Sequence, residues 1–361
     1  MRRALLNLLV CPRCRSPLVL NGDAEPGSGE ILSGSLICQC GEEVPIVEGI
    51  PRFGWELEGN PGREGEGRVQ QVRESFSFKW QRFPRFGFGR PEVEEFYDQW
   101  FSQKLGFHDV SSFETYLRTK KAFLDAGTGL GGKIATFCRI NPVGDAVGVD
   151  FSDSVEPAWE NTCRWPNAHT LKADLMRLPF PEERFDLVVS DGVLHHTPDP
   201  QKAFEALVPY LAPGGEIAIH VYLRMGPIRE FCDDFLRAQT VRLSPEACWE
   251  FCVSLTRFGE ALAKLRVPLE VPEDLPILGV KAGSYDLQRF IYYHVFKCFW
   301  NPDFTFEENN LVNFDWYHPA FASRHDEEEV VGWFRQAGLE EIRVFHPNES
   351  GLSVMGRRRS R

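Results

Sequence analysis

The residues best placed to do chemistry fall in Phe123–Gly132, which reads FLDAGTGLGG. An apolar strand running into a glycine-rich turn lets backbone N–H groups come close to a nucleotide-like ligand. Gly127, Gly129 and Gly132 satisfy GxGxxG, which alone is a weak dinucleotide signal. Asp125, two positions before the first glycine, changes the reading. A carboxylate there repels a pyrophosphate, which wants bare amides and positive potential. It suits a ligand that carries an ammonium group, such as the methionine end of S-adenosylmethionine, and so a sulfonium nucleoside rather than NAD. A second apolar run, Ala146–Asp150, ends in an acid 25 residues after Asp125. That is close to the spacing of about 20 at which an acid reaches ribose hydroxyls.

A second group of reactive side chains lies at the amino end. Cys11-Pro-Arg-Cys14 and Cys38-Gln-Cys40-Gly41 frame a segment rich in turn residues. A CxxC knuckle brings two thiolates to one tetrahedral ion, and a second pair across a turn completes a four-coordinate zinc site. So small a module has little core of its own, and metal binding would supply much of its stability. The tighter CxC pair also leaves open a ribbon without metal that holds by packing, or thiol redox chemistry.

The elements that must position the first group follow in order. Phe123–Ala126 and Ala146–Asp150 are strands one and two, Lys172-Ala-Asp174-Leu175 closes a third, Phe185–Asp191 is a fourth, and Glu216–Tyr222 is a fifth. The Asp191–His196 segment follows the fourth strand. His196 is the candidate general base, because a neutral imidazole titrates near working pH. The alternative is a capping or structural histidine at the turn into Pro198-Asp-Pro200.

Leu124–Asp150, the Asp174 segment and Ser190–Pro200 resemble the class I S-adenosylmethionine-dependent methyltransferases, in the broad group that includes the ubiquinone/menaquinone-type enzymes. The resemblance implies an α/β fold: a Rossmann-like seven-stranded sheet over residues 120–361, closed by an antiparallel hairpin from Glu340–Phe345 and Leu352–Arg357. It further implies that the turn of Gly127, Gly129 and Gly131 holds the methionine part, with Asp125 beside it as a cofactor contact, and that Asp191, also cofactor-binding, begins the segment to His196 that faces the methyl group. Asp150 would take the ribose hydroxyls and Phe151 would pack on adenine. Asp174 would accept from the adenine amino group beside the Leu175 amide. Residues 1–53, through Leu5-Leu6, Val44–Val47 and Gly49–Phe53, resemble the zinc-ribbon domain of the transfer-RNA methyltransferase activator subunit. That activator pairs with its enzyme by extending a sheet, so a fused copy implies scaffolding.

Between the two resemblances the glycine- and glutamate-rich stretch reads as a linker, 54–74, followed by an aromatic helical cap over 75–119. Phe76 and Trp80 are candidates there for cofactor or substrate walls, against ordinary core packing. After the fifth strand about 225–320 is a helical insertion, by the apolar spacing of Pro227–Leu236, Ala247–Phe258 and Leu287–Phe296. An insertion at that point sits over the carboxyl ends of the strands. Tyr292, Tyr293, His294, Trp316, Tyr317 and His318 are its candidate lining if it is a substrate lid, and a homodimer interface is the competing role. Asp326–Gly338 reads as a helix with acids in its first turn and a glycine just past its end.

The 361 residues carry a formal net charge of −12. Such a balance does not suggest an electrostatic nucleic-acid binder. The one basic cluster, Arg357–Arg361, reads as a solvated tail or an anion contact. No apolar run approaches the roughly 18 residues of a membrane span. Met1–Cys11 lacks the small residue of a secretion signal, so a cytoplasmic location with reduced thiols is expected. The expected function is methyl transfer to a small-molecule acceptor at an oxygen, nitrogen or carbon. The alternatives are an RNA methyltransferase, since a four-cysteine ribbon also precedes this fold in ribosomal-RNA enzymes, and a non-catalytic cofactor-binding assembly protein.

Overall fold

The computed structural model describes residues 1–22, 30–54 and 66–360. The amino-terminal module is a short helix α1 (Arg3–Leu6) and a four-stranded antiparallel sheet of β1 (Leu18–Asn21), β2 (Gly34–Cys38), β3 (Glu43–Val47) and β4 (Ile50–Pro51). Three helices follow, α2 (Glu66–Arg82), α3 (Pro91–Lys104) and α4 (Val110–Arg118). The alternating part then runs β5 (Ala122–Ala126), α5 (Gly132–Ile140), β6 (Asp145–Asp150), α6 (Val155–Thr162), β7 (Ala168–Lys172), β8 (Phe185–Asp191), α7 (Pro200–Leu207) and β9 (Leu211–Tyr222). The segment after β9 folds as α8 (Pro227–Thr240), α9 (Pro245–Leu265), a hairpin of β10 (Pro268–Val271) and β11 (Gly283–Asp286), α10 (Leu287–His294) and α11 (Phe306–Tyr317). The chain closes with α12 (Glu327–Gln336), β12 (Glu340–Asn348) and β13 (Gly351–Arg357).

The large sheet has the order β12-β13-β9-β8-β5-β6-β7. Its five central and edge strands from β9 to β7 are parallel, and β13 enters antiparallel to β9. This is the class I methyltransferase sheet. Every residue of β5 and of β7 is buried. Parallel strands covered by helices on both faces read as continuous apolar runs, which is why FLDA and AVGV were legible. The strand order reverses beside β5: β6 and β7 lie to one side, β8 and β9 to the other. Ligands bind at the carboxyl ends of strands at such a point.

The ribbon and the sheet share one hydrophobic core. Leu5, Leu9, Leu36 and Phe53 belong to the same buried cluster as Leu171, Leu178 and Phe180. Backbone joins them too. Arg52 pairs with Lys172 in a parallel bridge, and the Phe53 N–H donates to Lys172 O at 2.8 Å, so the ribbon extends the sheet beyond β7.

One expectation fails here. Residues 55–65 of the anticipated linker lie outside the described residues, but from Glu66 the chain is already helical. The Glu and Gly content concealed an apolar face, Val69, Val72, Phe76 and Trp80, whose helical spacing supports a stripe. The basic carboxyl end also differs from a free tail. Arg357 pairs with Glu216 and Glu341, and Arg358 with Glu183.

Candidate functional site

A cavity of about 690 Å³ opens over the carboxyl ends of β5, β6, β8 and β9 and is roofed by α2, α3 and α11. Helical periodicity explains the roof. Val69, Val72, Phe76 and Lys79 of α2, and Tyr97, Phe101 and Lys104 of α3, each recur at three- and four-residue steps and so face one way. The floor begins at the glycine turn. Gly127 has φ +88°, and a Cβ there would lie 2.2 Å from Val193 Cγ2, so only glycine fits. The Gly127 and Thr128 amides both donate to Val149 O, which folds the turn back over β6.

Of the residues the sequence nominated, Gly127, Gly129, Asp150, Phe151, Asp174, Leu175, Asp191 and His196 line this cavity. Asp150 accepts from the Gly129 N–H at 3.0 Å with one oxygen. Its other oxygen accepts from the Ser152 N–H at 2.9 Å. That second oxygen also accepts from Ser152 Oγ at 2.7 Å, so the carboxylate is oriented, and the oxygen facing Gly129 keeps a lone pair that could take a ribose hydroxyl. Asp174 accepts from the Met176 N–H at 2.9 Å, and burial raises its carboxyl above the ordinary value.

Asp125 and Gly131 do not line the cavity. Asp125 is fully buried beneath the turn, where it accepts from Thr128 Oγ1 at 2.8 Å. Its other oxygen stands 3.5 Å from Lys133 Nζ. Burial pushes its carboxyl up to about 6, with Lys133 opposing the rise. Two positions before the turn the side chain still belongs to β5 and points into the layer under the sheet end. Gly131, at φ +82°, is the N-cap of α5, and a Cβ there would meet Thr162 Cγ2 at 2.8 Å. Packing requires that glycine.

What faces the ligand instead is a group of charges. Asp191 accepts from Lys104 Nζ at 2.7 Å, and Lys133 Nζ lies 3.7 Å from its second oxygen. Burial opposes the Asp191 charge, but Lys104 and Lys133 together outweigh it and hold the carboxyl below its usual range. Burial likewise pulls on Lys133, and Asp125 and Asp191 keep its ammonium raised above the ordinary value. A pair of lysines with one carboxylate matches a zwitterionic amino-acid tail, the lysines for its carboxylate and Asp191 for its ammonium. Lys104 and Lys133 escaped the sequence reading. Lys133 had a signal, since it follows Gly132 directly; Lys104 had none, because α3 reaches the site only through the tertiary fold.

At the other end of the cavity, His196 contacts Phe321 O through Nδ1 at 2.7 Å. A carbonyl accepts only, so Nδ1 carries the hydrogen and Nε2 keeps its lone pair. Burial lowers this imidazole to about 4, so it is neutral at physiological pH. Phe76 lies 5.0 Å from the ring and Tyr222 5.6 Å, both edge-on. His195 is turned away, fully buried and stacked on Tyr222 at 3.7 Å. Phe76 and Trp80 are cavity walls.

Of the six candidate lid residues only Tyr292 reaches the cavity. Trp316 and Tyr317 are buried against α9 in a separate apolar cluster, and His318 Nε2 donates to Leu243 O at 3.2 Å. The insertion presents Asp315 and Lys297 to the cavity in their place. Counting aromatics in a helical stretch gives no phase, and the phase decided which side chains turned inward.

The four cysteine sulfurs lie within 4.8 Å of one another. Cys11–Cys40 and Cys14–Cys38 are 3.7 and 3.3 Å apart. Tetrahedral zinc with sulfurs at 2.3 Å sets them about 3.8 Å apart, so the set fits that ion. The CxC pair closes because Gly41 turns at φ +87°.

Residues 124–219 match the methyltransferase-domain family and residues 2–49 the Trm112p-like protein family. An uncharacterized protein of Synechococcus sp. is 31% identical over 107 residues, 28% of this chain and 26% of its own length. The demethylmenaquinone methyltransferase of Staphylococcus aureus is 28% identical over 124 residues, 30% of this chain and 52% of its own. The chain therefore spans about half or less of the curated relatives it matches. A solved complex of the Haloferax volcanii Trm112 methyltransferase activator with a putative methyltransferase aligns at TM-score 0.40 and 14% identity, covering 80% of this chain and 99% of that one. The chain is thus similar over residues 124–219 to the methyltransferase-domain family, and over residues 2–49, in front of that stretch, to the Trm112p-like family.

Proposed function

We propose that this protein transfers a methyl group from S-adenosylmethionine to a small-molecule acceptor. The observation that carries the reading is one continuous cavity that joins the glycine turn to the wall of His196 and Tyr222. A cofactor end and an acceptor end must share a space for direct transfer, and orientation within it supplies several kcal/mol of barrier lowering. The enclosed roof of α2 and α11 and the net charge of −12 support a small acceptor over RNA.

S-adenosylmethionine supplies an already activated methyl group on a sulfonium. The chain's own residues then bind and orient. Asp150 takes the ribose, Phe151 and Leu175 flank the base, and Lys104, Lys133 and Asp191 hold the amino-acid tail. His196 Nε2 accepts the proton that an oxygen, nitrogen or activated carbon acceptor gives up as it attacks. Phe76, Trp80 and Tyr222 exclude water from that end.

Titration calorimetry with S-adenosylmethionine and S-adenosylhomocysteine tests the first half. Absence of binding by folded protein rejects the proposal. Labelled donor incubated with a metabolite extract and, separately, with RNA tests the second. Label recovered in RNA alone overturns the small-molecule reading.

A further inference from the structure

Lys297 has no role in the reading above, yet its surroundings are built around it. It follows α10 on an irregular strap, 295–304, whose backbone is held by side chains from three helices. The Lys297 N–H donates to Asp233 Oδ1 at 3.2 Å, and its carbonyl accepts from Tyr317 Oη at 2.9 Å. The next carbonyl, of Cys298, accepts from Gln288 Nε2 at 2.8 Å, and the Phe299 N–H donates to Asn313 Oδ1 at 2.8 Å. Buried side chains spent on a loop's backbone fix the position of what the loop presents.

What it presents is an ammonium with no carboxylate partner among the described residues. The residue is 6% exposed and lines the cavity. Nζ sits 4.5 Å from the Trp316 ring and 6.0 Å from that of Tyr222. The nearby acids are committed. Asp315 accepts from Lys79 at 2.8 Å, and Asp233 is held by Arg229 and by the backbone of Lys297 itself. Burying a cation without a counter-ion is unfavourable, and burial indeed drives this ammonium down to about 7. The fold tolerates that cost at a wall of the cavity. Tyr222 flanks both Lys297 and His196, so the ammonium and the base look onto the same acceptor space.

We infer that Lys297 receives a carboxylate on the acceptor, so that the substrate class is a small aromatic acid laid between Phe76, Tyr222 and Tyr292. The assignment rests on the methyl-transfer reading for the identity of the space, and it adds the charge and shape of what enters it. A carboxylate completes the missing ion pair, and the aromatic walls take the ring by edge and face contact. Lys297 is then a specificity residue that fixes the register of the acceptor against His196.

The test uses the full chain and three matched pairs: benzoate and benzamide, phenylacetate and phenylacetamide, cinnamate and cinnamamide. Each is titrated by calorimetry into protein saturated with S-adenosylhomocysteine. At least one acid is expected to bind about tenfold or more tighter than its amide, the size of one charge-assisted contact. Lys297→Met should reduce that preference below about threefold, with affinity for S-adenosylhomocysteine unchanged, while Lys297→Arg should retain part of it. Amides binding as well as acids, no acid binding, or a preference that survives in Lys297→Met overturns the assignment. The acid-to-amide comparison needs only the parent protein, so it stands even if a variant fails to fold. Should S-adenosylhomocysteine itself not bind, the methyl-transfer reading fails separately, and the same pairs titrated into unloaded protein still decide on Lys297.

Discussion

Two imidazoles and two kinds of carboxylate at this site are distinguished by where their atoms point. His196 shows Nε2 to the cavity because Phe321 O occupies Nδ1, whereas neither ring nitrogen of its neighbour His195 finds a partner among the described residues. His196→Asn is expected to lower the rate of methyl transfer by roughly 10²-fold or more while leaving S-adenosylmethionine affinity within about twofold. With this imidazole lowered to about 4, the acid limb of the parent's pH–rate profile should fall near that value and not near 6.5. An acid limb at the ordinary histidine value would remove His196 as the base. Asp150 holds the Gly129 amide and, in the proposed reading, offers its remaining lone pair to the ribose. Asp150→Ala should therefore weaken cofactor binding by roughly 10–100-fold in calorimetry, since a contact to a charged group is worth about 1.5–3 kcal/mol. Lys297 gives a stability prediction whose sign can be worked out. Its folded value of about 7 lies below the ordinary 10.5. Below pH 7 it is charged in both states and the whole cost of burying the charge is felt. Between 7 and 10.5 the unfolded chain binds more protons than the folded one, so stability rises with pH. Lys297→Met should raise the melting temperature most at or below pH 7, and the gain should shrink toward pH 10. A gain that grows with pH would contradict this.

At the level of elements, strand ends and helix faces do the positioning. Three of the acids that line the cavity, Asp150, Asp174 and Asp191, stand at or just past the carboxyl ends of β6, β7 and β8, where a parallel strand must stop. α11 is locked by a capping box, with the Glu308 N–H donating to Thr305 Oγ1 at 3.2 Å and the Thr305 N–H donating to Glu308 at 2.8 Å. That cap fixes where Asp315 falls, two turns on. Among the described residues the ribbon shows no capping box, and its four strands are short. The ion that its sulfurs fit is expected to supply part of its stability. Chelation of the zinc-loaded protein is expected to lower the first unfolding transition by about 5 °C or more, reversed by added zinc. An unmoved transition, in protein shown by metal analysis to have lost zinc, would mean that packing alone holds the module.

For the molecule as a whole, the ribbon is part of the sheet's edge and not an appendage. β7 would otherwise expose its backbone on one side, and the bridge of Arg52 to Lys172 covers it. Val10 N–H donates to Pro179 O at 2.9 Å, and Arg52 pairs with Glu156 at 2.7 Å, so the contact flanks the segment of Asp174 and Leu175, which line the cavity. A chain beginning at residue 66 should accordingly be recovered mostly as aggregate, and any soluble fraction should bind S-adenosylmethionine more weakly than the full chain. Soluble, fully competent protein from such a chain would show that the two parts are energetically independent.

Local sequence determined the order of strands and turns, the glycine bend, the acids that end strands, and the paired cysteines. Each follows from short-range physics: an apolar run must be buried, a bend at positive φ needs glycine, and thiolates two or three residues apart can share one ion. It could not determine which way a side chain faces once helices from distant stretches close over the sheet. Asp125 looked like a ligand contact and lies beneath the turn, the last nine residues of an apparent linker joined a helix, and the aromatics of α11 turned into their own core. Lys104, Lys133, Asp315 and Lys297 became a site only because residues up to 211 positions apart along the chain meet at one cavity. Charge recognition depends on distance in space and on exclusion of water, and both are set by packing that no local pattern encodes.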